Sequence, residues 1–286
     1  VATTYLGRLG GLRQIRPRTD ISTKPTRIGG THTALSGRRT VDYLGTQLTH
    51  TLALPRMRPD EYAFFQAIHE RHVPGPLRLL WPADIGRNRL SRSSASMSRG
   101  GQDLSTLDAT GGSLTGTGAW PSAAPPVGRG VRWVNAGPGE AIRIDRGRPA
   151  PVLEGETVTA SLYVRSTAED EVQLGLNHYG DDGAGGGYLG SPTLADPVTL
   201  TADTWTRLSV TTTPGVATWA VSPAVLLVSQ PSGSSEITLA AAQVEAAASA
   251  SDWTQGGGAP VVVVDEMPTT RPYVPYVTPE LTLMEV

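Results

Sequence analysis

Apolar and polar residues alternate in short runs along most of the chain. From Val41 to Leu54, Leu44, Leu48, Leu52 and Leu54 fall at even positions, the two-residue period of a half-buried strand. Gly11 to Ile15 alternates less regularly, and Pro25 to Leu35 carries Ile28 and Leu35 among Thr and Arg. Gly29-Gly30, Ser36-Gly37 and Gly45-Thr46 supply positions where a positive φ is easy, so they read as turns or bulges. One segment breaks the period. Pro59 to His72 puts Tyr62, Phe65, Ile68 and His69 on one helical face. It opens with Pro59, Asp60 and Glu61, carries Arg71 and His72 where the helix dipole is negative, and is stopped by Pro74-Gly75-Pro76. A short apolar strand, Leu77 to Trp81, follows.

From 88 to 118 the residues turn to Ser, Gly and Thr, with weak strands at most. Strands are then predicted at 129–135, 141–145, 157–166, 172–178, 198–201, 205–213, 217–221, 224–229 and 236–245, with a glycine-rich loop from Gly180 to Gly187. Short strands at this spacing, with turns between them and no helix, predict a jelly-roll β-sandwich. Ser251 to Pro260 reads as an exit linker. Val261–Val264 and Leu281–Val286 are the last apolar stretches, and a terminus that ends on a strand needs a pairing partner. The simplest partner is the N-terminal sheet. The expected architecture is therefore mainly β. Residues 1–90 and 260–286 form one discontinuous β domain with one α-helix, and 91–259 is an inserted sandwich.

Charge sharpens this division. Residues 1–90 carry 14 basic and 6 acidic residues, a net of +8; residues 91–259 carry 9 and 16, a net of −7; residues 260–286 carry 1 and 4, a net of −3. The acidic end would offset the basic beginning. The whole chain is close to neutral at −2, which gives no general drive toward nucleic acid. With no cysteine, disulfides, thiolate metal sites and cysteine nucleophiles are excluded. No apolar run approaches the ~18 residues of a membrane helix, and Val1 to Gly10 lacks a signal-peptide pattern, so a soluble protein without membrane insertion is expected.

Candidate chemistry is sparse. His69 and His72 stand three apart, where a zincin helix needs four, and read as imidazoles at a helix end. Glu154/Glu156 and Glu169-Asp170-Glu171 read as solvated loop acids, not a glycosidase pair. Asn177, Asp181 and Asp182 place oxygen ligands in a glycine loop and form the one calcium candidate; a solvated hairpin tip is the preferred reading, and no cofactor is expected. Trp205 lies in an alternating strand and is expected in the core. Tyr179 and Tyr188 flank the glycine loop and are the better platforms for stacking a sugar ring.

Three early segments, Ala34 to Val41, Pro59 to Tyr62 and Gly75 to Leu80, together resemble the start of minor tail proteins of siphophages infecting actinobacteria. Tyr276 to Val286 is similar to their closing strand. Leu153 to Tyr163, Trp205 to Leu208, Ala242 to Glu245 and Trp253 to Gly256 resemble carbohydrate-binding-module-like jelly rolls, and the split-domain order resembles distal tail proteins. The resemblance implies a non-enzymatic virion protein at the distal tail or baseplate. It would form a homo-oligomeric ring, a hexamer by family analogy, against neighbouring tail tube and tip proteins, and display a sandwich toward host-surface glycans. The alternative is a secreted carbohydrate-binding protein or a non-catalytic module of a glycoside hydrolase.

Overall fold

The computed structural model describes residues 3–17, 21–34, 36–42, 45–97, 104–118, 125–181, 187–231, 233 and 235–286. In chain order the first elements are β1 (Thr4–Gly7), β2 (Arg13–Ile15), β3 (Ile21–Ile28), β4 (Thr31–Thr33), β5 (Arg39–Val41), β6 (Gly45–Ala53), α1 (Pro59–His69), β7 (Leu77–Leu80) and α2 (Arg92–Ser96). There follow β8 (Leu107–Ala109), β9 (Ser113–Gly116), β10 (Val131–Val134), β11 (Ala141–Ile144), β12 (Ala150–Pro151), β13 (Val158–Ser166), β14 (Glu171–Gly180) and β15 (Gly187–Leu194). The last are β16 (Val198–Thr199), β17 (Thr206–Thr212), β18 (Thr218–Ser229), β19 (Glu236–Glu245), β20 (Val261–Glu266), β21 (Thr269–Thr270) and β22 (Thr278–Glu285). The chain is mainly β and divides into two compact units. One comprises Thr3–Arg8, Arg13–Leu79 and Val261–Val286; the other includes Leu9–Leu12 and Leu80–Pro260.

The first unit is built on a sheet of order β2-β1-β7-β20-β22-β6-β3, with β21 paired to β22. The closing strand lies inside this sheet. Leu281 pairs with Leu52 and Leu283 with His50 on one side, while Val264 pairs with Leu283 on the other. Leu52, Leu54, Leu281 and Leu283 are buried, as alternation requires; Leu44 lies outside the described residues. His50 occupies the same inward parity. Its ring reaches Thr23 Oγ1 at 3.0 Å and Glu285 Oε1 at 3.1 Å, satisfying a buried polar group across three strands. α1 begins where expected, with the Arg58 amide donating to Glu61 Oε2 at 3.0 Å, and buries Phe65 and Ile68. It ends at His69, three residues before the expected His72, because Arg71 turns left-handed at φ 60°. His72 therefore stands beyond the helix, beside Glu70.

The second unit is a β-sandwich. One sheet runs β17-β13-β19-β10-β9; the other runs β15-β14-β18-β11-β8, with β16 on β14 and β12 on β18. Inward residues of both fill one core, among them Trp133, Leu162, Leu239, Ile142, Leu174 and Val225. Trp133 is fully buried and donates its indole N–H to the Gly111 carbonyl at 2.8 Å.

Several expectations are corrected here. The weakly structured stretch 88–118 holds the short helix α2, capped by Ser91, as well as β8 and β9. Trp205 precedes β17 and is only half-buried. The strands expected at 217–221 and 224–229 are one strand, β18. Pro223 sits where the neighbour on one side changes from β12 to β11, and there the Ser222 hydroxyl meets the Ile144 carbonyl at 2.7 Å. Ser251–Pro260 is packed and is no loose linker. The Asn88 amide donates to the carbonyls of Ala242 and Thr254, both at 2.9 Å, and its oxygen accepts from Leu90 and Val244. The glycines permit this closeness. A Cβ on Gly256 would lie 2.5 Å from the Leu90 carbonyl oxygen, and one on Gly258 would lie 2.1 Å from that of Gly86. Glu156 and Asp170 are not solvated loop acids either. Glu156 takes a bidentate pair of 2.6 Å bonds from Arg89, and Asp170 is buried against the Ser166 hydroxyl.

Candidate functional site

The two faces of β14 differ. Val172, Leu174 and Leu176 point into the core, and His178 follows them. Gln173, Gly175, Asn177 and Tyr179 take the opposite parity, on the outer face of the seven-stranded sheet. Pairing extends this face sideways. Tyr179 stands opposite Tyr188 on β15 and Ala220 on β18; Asn177 stands opposite Ser222; Arg143 on β11 pairs with Ala224 on one side and Asp108 on the other.

At the β15 end of this face the two tyrosines meet. Their ring centroids lie 5.7 Å apart at 53°, and Tyr188 is 53% exposed. Beneath them Asn177 is 1% exposed. A bulge in β15 turns Ser191 toward it, and the Asn177 Oδ1 accepts from the Ser191 hydroxyl and from the Tyr188 hydroxyl at 3.4 Å. The Nδ2 of the same amide is buried with no hydrogen-bond partner among the described residues. Whichever way the amide is set, one of its polar atoms is left over, which is costly in a buried position unless something else meets it.

At the β11 end, Asp108 accepts from Arg146 at 2.6 Å and from Arg143 at 3.4 Å. The hydrogen bond that Arg146 donates to Asp108, and the charge of that carboxylate, strengthen the hold of Arg146 on its proton, with smaller contributions from Tyr179 and Tyr188. Burial raises the Tyr179 phenol above its ordinary range, while a hydrogen bond with Ser222 and the charges of Arg146 and Arg143 pull it down. On the core side, burial lowers the His178 pKa; its ring lies 3.2 Å from Thr218 Oγ1.

The structure thus brings Tyr179, Tyr188 and Asn177 together. Asp181 follows β14, exposed, with its amide donating to the Ala217 carbonyl, and Asp182 lies outside the described residues. Asn177 belongs to a strand and is already engaged by Ser191 and Tyr188. Among the described residues no group of three His, Asp or Glu side chains could hold a metal. Sequence reading missed Ser191, Arg143, Arg146 and Asp108. The alternation in Ala141 to Ile144, with Arg143 between two isoleucines, is the one signal that could have found an outward arginine.

No family model matches the sequence, and no curated protein matches it. Solved structures match at low identity. The N-terminal xylanase 10B of Clostridium thermocellum, CBM22-1 and GH10 modules with xylohexaose, is 10% identical over 58% of this chain and 30% of that one, with a TM-score of 0.40. The CBM22-1 xylan-binding domain of Paenibacillus barcinonensis Xyn10C is 16% identical over 58% of this chain and 97% of that one, with a TM-score of 0.38. The enzymatically active domain of tailspike protein 4 of bacteriophage CBA120 is 11% identical over 55% of this chain and 21% of that one, with a TM-score of 0.37. The chain spans less than a third of the xylanase and tailspike chains. These matches assign no residue of the site.

Proposed function

We propose that the chain is a non-enzymatic, structural protein whose sandwich contacts saccharide through the outer face of the seven-stranded sheet. One observation carries the reading: Tyr179 and Tyr188 pair on the outer face of the sheet, with Tyr188 53% exposed and its hydroxyl held by the buried Asn177. Tyrosine rings offer a sugar an apolar platform with a polar rim. Two of the five candidate acids have structural partners: Glu156 is tied to Arg89, and Asp170 to Ser166. A glycan array probed with the full chain tests this. Binding is expected for a subset of glycans, with at least about tenfold loss in Tyr188→Ala. Silence across the array, or binding untouched by Tyr179→Ala and Tyr188→Ala, contradicts it.

A second observation supports assembly of the unit built from both chain ends. β3 and the β4–β5 hairpin are exposed nearly throughout, with Lys24, Arg27, Arg38 and Arg39 on them and Ile28 45% exposed. Asp265, Glu266 and Glu280 are exposed on β20 and β22, so a second copy offers the complementary charge. Lys24 and Pro25 guard the β3 edge against plain strand addition, which leaves side-chain faces as the contact. The tail ring is the setting that the sequence resemblance at 34–41, 59–62, 75–80 and 276–286 supports. Sedimentation velocity is expected to show a closed oligomer that dissociates in high salt and in Arg27→Glu/Arg39→Glu. A monomer at every concentration contradicts assembly, and immunogold label absent from the distal end of tails contradicts the setting.

A further inference from the structure

The saccharide reading leaves two arginines on the same face without a role. Arg143 and Arg146 share one carboxylate, Asp108, and no second carboxylate among the described residues lies within ion-pair distance of either. One negative charge cannot neutralise two guanidiniums, so this end of the face keeps a surplus positive charge. Both side chains reach solvent, at 29% for Arg143 and 54% for Arg146. Asp108 engages one nitrogen of each, leaving most of their fork of donors for another oxyanion.

Strand pairing places this charge beside the tyrosines. Arg143 is level with Ala224 on β18, and Tyr179 is level with Ala220. Between those two rows Ser222 donates to the Ile144 carbonyl and hydrogen-bonds Tyr179, which puts the end of β11, two residues before Arg146, next to Tyr179. The mutual electrostatic influence of Arg146, Tyr179 and Tyr188 agrees with that placement. Ala220 itself pairs with Pro151 of β12, so Arg146 approaches the tyrosines from the turn that follows β11. Asp181 is exposed two residues beyond Tyr179, at the end of β14. Glu171 stands at the far end of β14, eight residues along, roughly 26 Å away.

Resting on the saccharide reading, we infer that the face selects anionic saccharides: one ring seats on Tyr179 and Tyr188, and a carboxylate or phosphate on that ring or its neighbour meets Arg146 and Arg143. A neutral sugar would leave the surplus charge unanswered, whereas an oxyanion would take charge-assisted bonds from a guanidinium already oriented by Asp108.

Calorimetry on the full chain tests this with matched pairs of probes: an oligouronate and its methyl ester, and a phosphate-bearing oligosaccharide and its dephosphorylated form. At least one acidic probe is expected to bind about tenfold more tightly than its neutral twin. That preference should shrink in high salt and in Arg146→Gln, while Tyr188→Ala weakens acid and neutral forms alike. The pair that shows the preference identifies carboxylate or phosphate as the group recognised. Unchanged thermal unfolding of Arg146→Gln confirms that the fold is intact. Equal affinity within both pairs, or a preference untouched by Arg146→Gln and Arg143→Gln, overturns the inference. If neither pair binds while the array still shows Tyr188-dependent capture of a neutral glycan, charge selection fails and saccharide contact stands. If the array is silent as well, both fail.

Discussion

Asn177 and His178 are neighbours on β14 that face opposite ways, and each shows how much of a residue's role depends on the strand beside it. His178 is held in the core near Thr218, and burial lowers its pKa. The unfolded chain therefore takes up that proton more readily than the folded one. Stability tied to His178 is complete above the unfolded value of about 6.5 and is lost as pH falls from there through the lower folded value. Thermal unfolding between pH 5 and 8 is expected to show this loss on the acid side, and His178→Gln to flatten it relative to the parent; parallel curves for the two proteins contradict the assignment. Asn177 taught the opposite lesson. Beside Asp181 and Asp182 in the sequence it looks like a loop ligand, but the structure makes it a strand residue whose partners come from the bulge in β15. That Tyr179 and Tyr188 come together could be read from their position flanking the glycine loop. The arginines could not, because Arg146 comes near Tyr179 only through pairings between strands far apart in the chain.

Among the elements, strands with a clean two-residue period were readable, and the failures share a physical cause. β18 read as two strands on either side of Ser222-Pro223, yet it carries on past a proline that has no amide donor, where a hydroxyl takes over a neighbour's carbonyl. β15 escaped notice because Gly187, Gly190 and Pro192 carry no strand preference; it is held by pairing with β14. The segment 251–260 looked like a linker because of its glycines, which are there to let two backbones approach. Gly258→Ala is accordingly expected to cost about 2–3 kcal/mol in urea unfolding, since its Cβ would fall 2.1 Å from a backbone oxygen, whereas Gly215→Ala, with nothing within 4 Å, should cost little. Equal and small effects at both positions would show that the close approach around Asn88 does not matter to stability.

At the scale of the molecule, the strand-like ending of the chain foretold pairing with the N-terminal sheet, and β22 pairs with β6 along Glu280–Met284. That it lies within the sheet, with β20 on its other side, was beyond sequence reading, because both neighbours offer the same alternation of apolar residues. The separation of charge between the chain ends and the middle was legible from composition; the outward face of the sandwich was not, since its residues come from five strands. The most direct measurement is hydrogen exchange of the full chain with and without a glycan that the array identifies. Added protection is expected along β14 and β15, around Asn177–Gly180 and Gly187–Ser191, and at the turn that carries Arg146. Protection confined to the five-stranded sheet, or to β3 and the β4–β5 hairpin, would contradict the outer face as the contact surface.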